Sequence, residues 1–231
     1  MKNKYYTFLA VSLYILSFFI LLFCIIIRLT PNIYLTTRFK LLLLFLVFLF
    51  IYISGYILIK KLNYKRRILY INLIIYFLIY TVTIFSLTLF DEIFGRRGLV
   101  IIDWNKSLFD YYFKEIVNLI PFKTVKLYTL GFSKGIISFK YFFINVFGNL
   151  FAFMPYGIFL PLMFKSMNKF YKFLLVIIFS VVIIEILQFL TLSGSCDIDD
   201  LILNVAGACG VYLISRIKCV NSFIRKVLFY E

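Results

Sequence analysis

Long runs of apolar residues, separated by short charged stretches, dominate this chain from end to end. A run of about 20 apolar residues crosses the hydrocarbon of a bilayer as one helix. The pattern predicts six spans, at residues 6–27, 41–59, 68–90, 141–164, 173–192 and 201–217. The first run is too long for the apolar part of a signal peptide, so we expect it to be retained. The expected fold is an all-α polytopic membrane protein with one membrane domain over residues 1–231.

Composition agrees with this fold class. Hydrophobic residues make up 64% of the chain and aromatic residues 21%, more than a soluble domain can bury. The net charge of +15 is explained by basic loops that meet lipid headgroups, because no basic stretch forms a soluble module. The expected partner is therefore the lipid bilayer, and nucleic acid is not expected.

The charges in the short loops predict an orientation. Lysine and arginine flank the spans at three places, namely residues 60–67, 165–172 and 216–226, whereas the loop between the fifth and sixth spans has neither. Basic short loops stay in the cytoplasm. Both termini are therefore predicted to be cytoplasmic, and the acidic loop at residues 197–200 is predicted to face outward.

The segment between the third and fourth spans is too apolar for a free linker. Its sequence WNKSLFDYYFKEIVNLIPFKT, residues 104–124, mixes aromatic and aliphatic side chains with scattered charges. This mixture is typical of an interfacial or re-entrant helix at headgroup depth. A plain amphipathic connector is the alternative.

Several chemistries are excluded or disfavoured by residue type. The chain has no histidine, which removes histidine-dependent hydrolysis and imidazole metal sites. Its four cysteines show no CxxC spacing, so neither a disulfide framework nor a zinc site is indicated. We expect no cofactor and no dedicated metal centre.

Polar side chains occur inside three of the spans, where they are costly unless they serve a purpose. Glu185 and Gln188 lie one helical turn apart in the fifth span and share a face. In the fourth span, Asn149 accompanies Pro155, which cannot donate to the helix ladder and is predicted to expose a carbonyl near Phe151.

The sixth span opens with three aspartates in the stretch GSCDIDDLILNVAGACG, followed one turn later by Asn204. The predicted topology places Asn204, with Asn149, Glu185 and Gln188, in the outer half of the membrane. We therefore expect one polar pocket, open to the outer face, below Asp197, Asp199 and Asp200.

Three interpretations of these aspartates remain open. Asp197 as N-cap and Asp200 in the first turn would stabilise the start of a helix. Three aspartates beside Glu185 also repel one another, which calls for a cation or a protonated carboxyl. Arg96 and Arg97, just above the third span, are the candidate protein cations, and a divalent ion is the alternative. A ligand-binding or catalytic pocket is the third interpretation.

Four blocks in the second half of the chain carry a resemblance to a known family. They are NLIPFKT (118–124), NVFGNLFAFMPYGIFLPLMF (145–164), IEILQ (184–188) and DIDDLILNVAGACGVYLI (197–214). In these blocks the chain resembles the VanZ-like family over a core of about residues 118–217, while the first three spans resemble it only in hydropathy. Many members carry a basic residue before the aspartate block, which LSGSCDIDD lacks.

The resemblance implies a protein of the bacterial cytoplasmic membrane. For the member that names the family, it implies an accessory role in low-level resistance to teicoplanin-type glycopeptides. The implied partners are a lipid-linked cell-wall precursor or a glycopeptide.

Three functions are consistent with these observations. The first is a non-catalytic envelope protein whose polar pocket binds a ligand through Arg96, Arg97, Asn149, Gln188, Asp200 and Asn204. The second is a membrane enzyme with Glu185 as general base, Asp197 or Asp199 as second carboxylate and Arg96 as an anion clamp. The third is a transporter with Glu185 as its proton site, although no second set of broken helices is visible.

Overall fold

The computed structural model describes residues 2–29, 36–62, 65–90 and 105–228, and their regular structure is helical. The long helices come first: α1 (Lys2–Leu29), α2 (Thr37–Leu62) and α3 (Lys65–Phe90). Shorter helices follow: α4 (Lys106–Glu115), α5 (Lys123–Ser133), α6 (Phe139–Phe143), α7 (Asn149–Ala152) and α8 (Tyr156–Met163). The chain continues with α9 (Phe170–Leu190), α10 (Ile198–Ile214) and α11 (Lys218–Val227).

The predicted fold class is confirmed. Five stretches of the described chain are long and apolar enough to cross a membrane. A sixth qualifies if α10 and α11 count together as one bent span. The helix of the sixth predicted span begins at Ile198 instead of near residue 201, because Asp197 acts as its N-cap. The chain is therefore a multi-pass membrane protein with all-α architecture.

The described residues group into two compact units. One contains Met1–Leu78 and Ser222–Glu231, and the other contains Ile79–Asn221. The long helix α3 contributes to both units. That the chain acts as a single membrane domain stays a prediction.

In the first unit, α1 packs along α2 through small and branched side chains. Ala10 and Val47 are fully buried, and the Ser54 hydroxyl donates a hydrogen bond to the Ala10 carbonyl at 3.0 Å. Tyr14 donates to the side-chain oxygen of Asn72 at 2.7 Å. These bonds satisfy polar groups that hydrocarbon cannot solvate.

In the second unit, α9 and α10 form the core with α8. Phe173 on α9 stacks on Tyr212 of α10 with ring centroids 4.5 Å apart, and both side chains are buried. Gly157 of α8 lies so close to α10 that a Cβ there would come within 2.7 Å of the Ala208 carbonyl oxygen. Small residues at this crossing allow the two backbones to approach.

The fourth predicted span is one helical stretch, Phe139–Met163, that irregular turns interrupt, and it is here called the broken span. A π-helical turn at Ile144–Gly148 joins α6 to α7, and a tight turn at Pro155 joins α7 to α8. Pro155 was predicted to free a carbonyl near Phe151, but Phe151 accepts from the Met154 N–H at 3.2 Å. The Ala152 carbonyl accepts the Tyr80 hydroxyl at 2.8 Å instead.

The outer segment was predicted as one interfacial helix, but it contains two. Helix α4 ends at Glu115 and α5 begins at Lys123. Between them, Asn118 forms a parallel bridge with Asp197, which takes its backbone out of helical hydrogen bonding. Pro121 follows, and it lacks the N–H that a continuous helix would need.

Candidate functional site

Glu185, Asp197, Asp199 and Asp200, here called the acidic cluster, lie around the loop that joins α9 to α10. Glu185 is on α9 and only 8% exposed, so it does not face lipid. Its carboxylate accepts the Asp197 N–H at 2.9 Å. This bond folds the loop back onto the end of α9, where the Gln188 carbonyl also accepts the Ser193 N–H at 3.0 Å.

Asp197 connects three parts of the chain. It is the N-cap of α10, with its Oδ1 accepting the Asp199 N–H at 2.9 Å. The same oxygen accepts the Asn118 amide at 2.8 Å, and Oδ2 accepts the Thr124 hydroxyl at 2.5 Å. The sequence predicted the capping role, but not the two partners from the outer segment.

Asp199 holds the N-terminus of α5. Its carboxylate accepts backbone N–H groups from Phe122, from Thr124 at 2.8 Å and from Val125 at 3.0 Å. Free N–H groups at the start of a helix form a natural site for an anion, and here a side chain of the same protein occupies it. Asp199 is only 1% exposed, and these N–H groups stabilise its carboxylate inside the protein.

The backbone around Asn118 completes the connection between the outer segment and α10. The Asn118 N–H donates to the Cys196 carbonyl at 3.3 Å, and its own carbonyl accepts the Ile198 N–H at 2.9 Å. Its side-chain oxygen accepts the Ile120 N–H at 3.2 Å, which closes the turn before α5. Asn118 and Thr124 are thus site residues that residue-by-residue reasoning missed, although both lie in a block that carried the resemblance.

Asp200 faces the broken span. The Asn149 amide donates to its carboxylate and also to the Asn145 carbonyl at 3.1 Å. Asn204, one turn further along α10, donates to the Asp200 carbonyl at 2.7 Å. Asp200 and Asn149 are only partly buried, unlike Asp197 and Asp199.

Two buried amide oxygens have no hydrogen-bond partner among the described residues: Oε1 of Gln188 and Oδ1 of Asn204. The two side chains are 2% and 6% exposed, respectively. The Gln188 amide nitrogen donates to the Thr88 carbonyl at 3.0 Å. A buried acceptor left unpaired in this way costs about 1–3 kcal/mol unless a donor reaches it.

That a cation compensates the charge of the aspartates stays a prediction. Arg96 and Arg97, the predicted cationic partners, lie outside the described residues. Within the described part, no three acidic or cysteine side chains are arranged as ligands of a metal ion. Asp197 and Asp199 accept hydrogen bonds from N–H and hydroxyl donors at the N-termini of α5 and α10.

Aromatic side chains of α4 cover the loop of the acidic cluster. The Tyr112 hydroxyl donates to the Gly194 carbonyl, and its ring makes an edge contact with Phe189 at 5.5 Å. Ser193 in this loop is 4% exposed, and its hydroxyl oxygen accepts the Thr191 hydroxyl at 2.8 Å.

The thiol of Cys196 lies near carboxylates of the acidic cluster. Burial raises the pKa of this thiol, and the nearby Glu185, Asp197 and Asp200 raise it further. A raised thiol pKa lowers the fraction of reactive thiolate at neutral pH.

The four sequence blocks that carry the family resemblance all lie within a match to a known protein family. Residues 39–219 match the VanZ/LLP1 family. The chain belongs to this family. The match includes the second and third spans, which the sequence had related to the family only through hydropathy. Neither a curated protein nor a solved structure matches this VanZ/LLP1-family chain.

Proposed function

We propose that this VanZ/LLP1-family protein is a non-catalytic accessory protein of the bacterial cell envelope. It would reside in the cytoplasmic membrane with both termini in the cytoplasm, as the basic short loops favour. The acidic cluster then lies toward the outer surface. There it would bind a lipid-linked cell-wall precursor or a teicoplanin-type glycopeptide.

One observation carries the non-catalytic part of the proposal. The carboxylates of Asp197 and Asp199, two of the three candidate catalytic residues, are occupied by donors that connect α5 to α10. Each carboxylate accepts three hydrogen bonds, and the two side chains are only 4% and 1% exposed, so a substrate has little access to either. Their arrangement therefore favours a structural role beneath a binding surface.

The chemistry of the exposed part favours a ligand rich in hydrogen-bond donors. Asp200 and Asn149 are partly accessible, and each offers an acceptor oxygen. The oxygens of Gln188 and Asn204 also lack partners among the described residues, but they are buried beneath this surface. Sugar hydroxyls, peptide N–H groups and ammonium groups, which cell-wall precursors and glycopeptides carry, are the matching donors.

The experiment compares strains that lack and that overexpress the protein. We expect altered sensitivity to teicoplanin, with unchanged profiles of membrane lipids and cell-wall peptides. An additional or missing covalent species in either profile would contradict the proposal and support the alternative, a membrane enzyme with carboxylate acid–base chemistry.

Two substitutions separate binding from catalysis within this experiment. Glu185→Gln keeps an acceptor for the Asp197 N–H, so we expect the phenotype to persist, whereas an enzyme that uses Glu185 as its base would lose all activity. Asp200→Asn removes the accessible charge and should weaken the phenotype. Asp110→Asn, on an exposed position of α4, is the matched control that should change nothing.

A further inference from the structure

Residues 119–141, here called the basic apolar surface, combine exposed apolar side chains with charges of a single sign. The four charged residues in this stretch are Lys123, Lys126, Lys134 and Lys140, and all are exposed. The exposed fractions of its apolar side chains reach 63% at Leu119, 62% at Ile120, 62% at Phe122, 58% at Leu127 and 77% at Ile136. Exposed apolar area of this extent indicates a partner.

Residues 119–122, the tip of this surface, contain an unfavourable backbone conformation. Phe122 has a φ of 63°, in the left-handed region that bulky side chains avoid. The bond from its N–H to buried Asp199 and the Asn118 turn keep the chain in this shape. Leu119, Ile120 and Phe122 are thus kept exposed by buried polar contacts, although collapse onto the protein would remove their apolar area from water.

The combination of charge and apolar area identifies the partner. Lysines with long apolar stems beside exposed leucine, isoleucine and phenylalanine match a surface with anionic groups above hydrocarbon. A second copy of the chain would bring four lysines against four lysines. A purely acidic protein surface would leave the apolar tip in water.

We propose that the basic apolar surface inserts into an anionic phospholipid leaflet. Leu119, Ile120 and Phe122 enter the boundary between headgroups and acyl chains, and Lys123 and Lys126 contact lipid phosphates. Asp199 acts as a positioning residue that holds the tip at this depth. The inference does not depend on what ligand the acidic cluster binds.

The first test measures the depth of the tip with a tryptophan reporter. Ile120→Trp is made together with Trp104→Phe, because Trp104 is the single tryptophan of the chain. The full-length protein is reconstituted into vesicles of phosphatidylcholine with phosphatidylglycerol brominated on its acyl chains. We expect blue-shifted emission that the brominated lipid quenches, as at Leu175→Trp on the apolar surface of α9, which is the positive control.

The second test measures the contribution of charge. The fraction of brominated phosphatidylglycerol that gives half-maximal quenching is determined for the reporter protein alone and with Lys123→Gln. Each lysine near an anionic surface contributes enough affinity for a shift of about fivefold in this fraction. Lys165→Gln, on an exposed turn before α9, is the matched control and should leave the fraction unchanged.

Two results would overturn the inference. Emission typical of a water-exposed indole, without quenching, would show that the tip does not reach lipid. Blue-shifted emission that brominated lipid does not quench would show that protein, such as a second copy, covers the tip.

Discussion

The contact between α2 and α3 and the contact between α7 and α10 solve the same packing problem differently. In the first, a Cβ at Gly55 would overlap the side-chain amide of Asn72, which can rotate away. In the second, a Cβ at Gly207 would overlap the backbone carbonyl of Leu150, which cannot move without shifting its helix.

The difference shows which of the two helix contacts tolerates a shift of its helices. Helices α2 and α3 have 26 residues each and are apolar along most of their length, so a small shift between them costs little. Helix α10 begins inside the acidic cluster, where displacement would break hydrogen bonds to Asp197, Asp199 and Asp200 together. Close contact between backbones holds these residues in place.

The largest expected effect comes from adding one methyl group at the backbone contact. Gly207→Ala should destabilise the fold by more than about 3 kcal/mol, because the carbonyl of Leu150 has no space to move. Gly55→Ala should cost about 1 kcal/mol, since only a side chain must rotate. Steric trapping in bicelles measures both values.

Gly210→Ala is the control for helix propensity in the same helix. Nothing lies within 4 Å of a Cβ at that position, so alanine should stabilise α10 by up to about 1 kcal/mol. Equal costs at Gly55 and Gly207 would contradict the distinction between the two contacts.

The next effect concerns buried hydrogen bonds. Asp199→Ala leaves three backbone N–H groups of the α5 N-terminus without their acceptor, and we expect a loss of about 3 kcal/mol in unfolding free energy. Asn72→Ala in the first unit removes one bond to Tyr14 and should cost about 0.6 kcal/mol. The same steric-trapping measurement applies, and a smaller loss at Asp199 than at Asn72 would refute this ranking.

A smaller contrast separates two tyrosine hydroxyls. Tyr80→Phe removes the donor to the Ala152 carbonyl in the broken span, at an expected cost of about 1 kcal/mol. Tyr14→Phe removes a bond between two side chains, which can reorganise, and should cost about half as much. Unfolding midpoints of the two variants in one detergent compare them directly, and the reverse order would count against a special role for the helix break.

The smallest effect is chemical and leaves stability unchanged. Burial and neighbouring carboxylates raise the pKa of Cys196, so at neutral pH it should react with N-ethylmaleimide several times more slowly than exposed Cys219. The difference between the two labelling rates should narrow as the pH rises, because more of Cys196 becomes thiolate. Glu185→Gln removes one of the carboxylates and should accelerate Cys196 alone, as mass spectrometry of the labelled peptides can show.

Much of the architecture follows from the sequence by itself. Apolar runs of membrane length determine helices wherever they occur, since hydrocarbon leaves the backbone no other donor or acceptor. The position of Asp197 before an apolar run determines the N-cap of α10. The inward orientation of Glu185 follows from the cost of placing a carboxylate in lipid.

Only the tertiary structure decided what the other aspartates contact. Asp199 meets the N-terminus of α5 although it lies 75 residues from Thr124 and 74 from Val125 in the chain. Local patterns of hydrophobicity and capping contain no signal for a partner at such a distance. The donors to Asp199 could not be found in the sequence, because the N-terminus of α5 supplies backbone N–H groups, which side-chain patterns do not reveal.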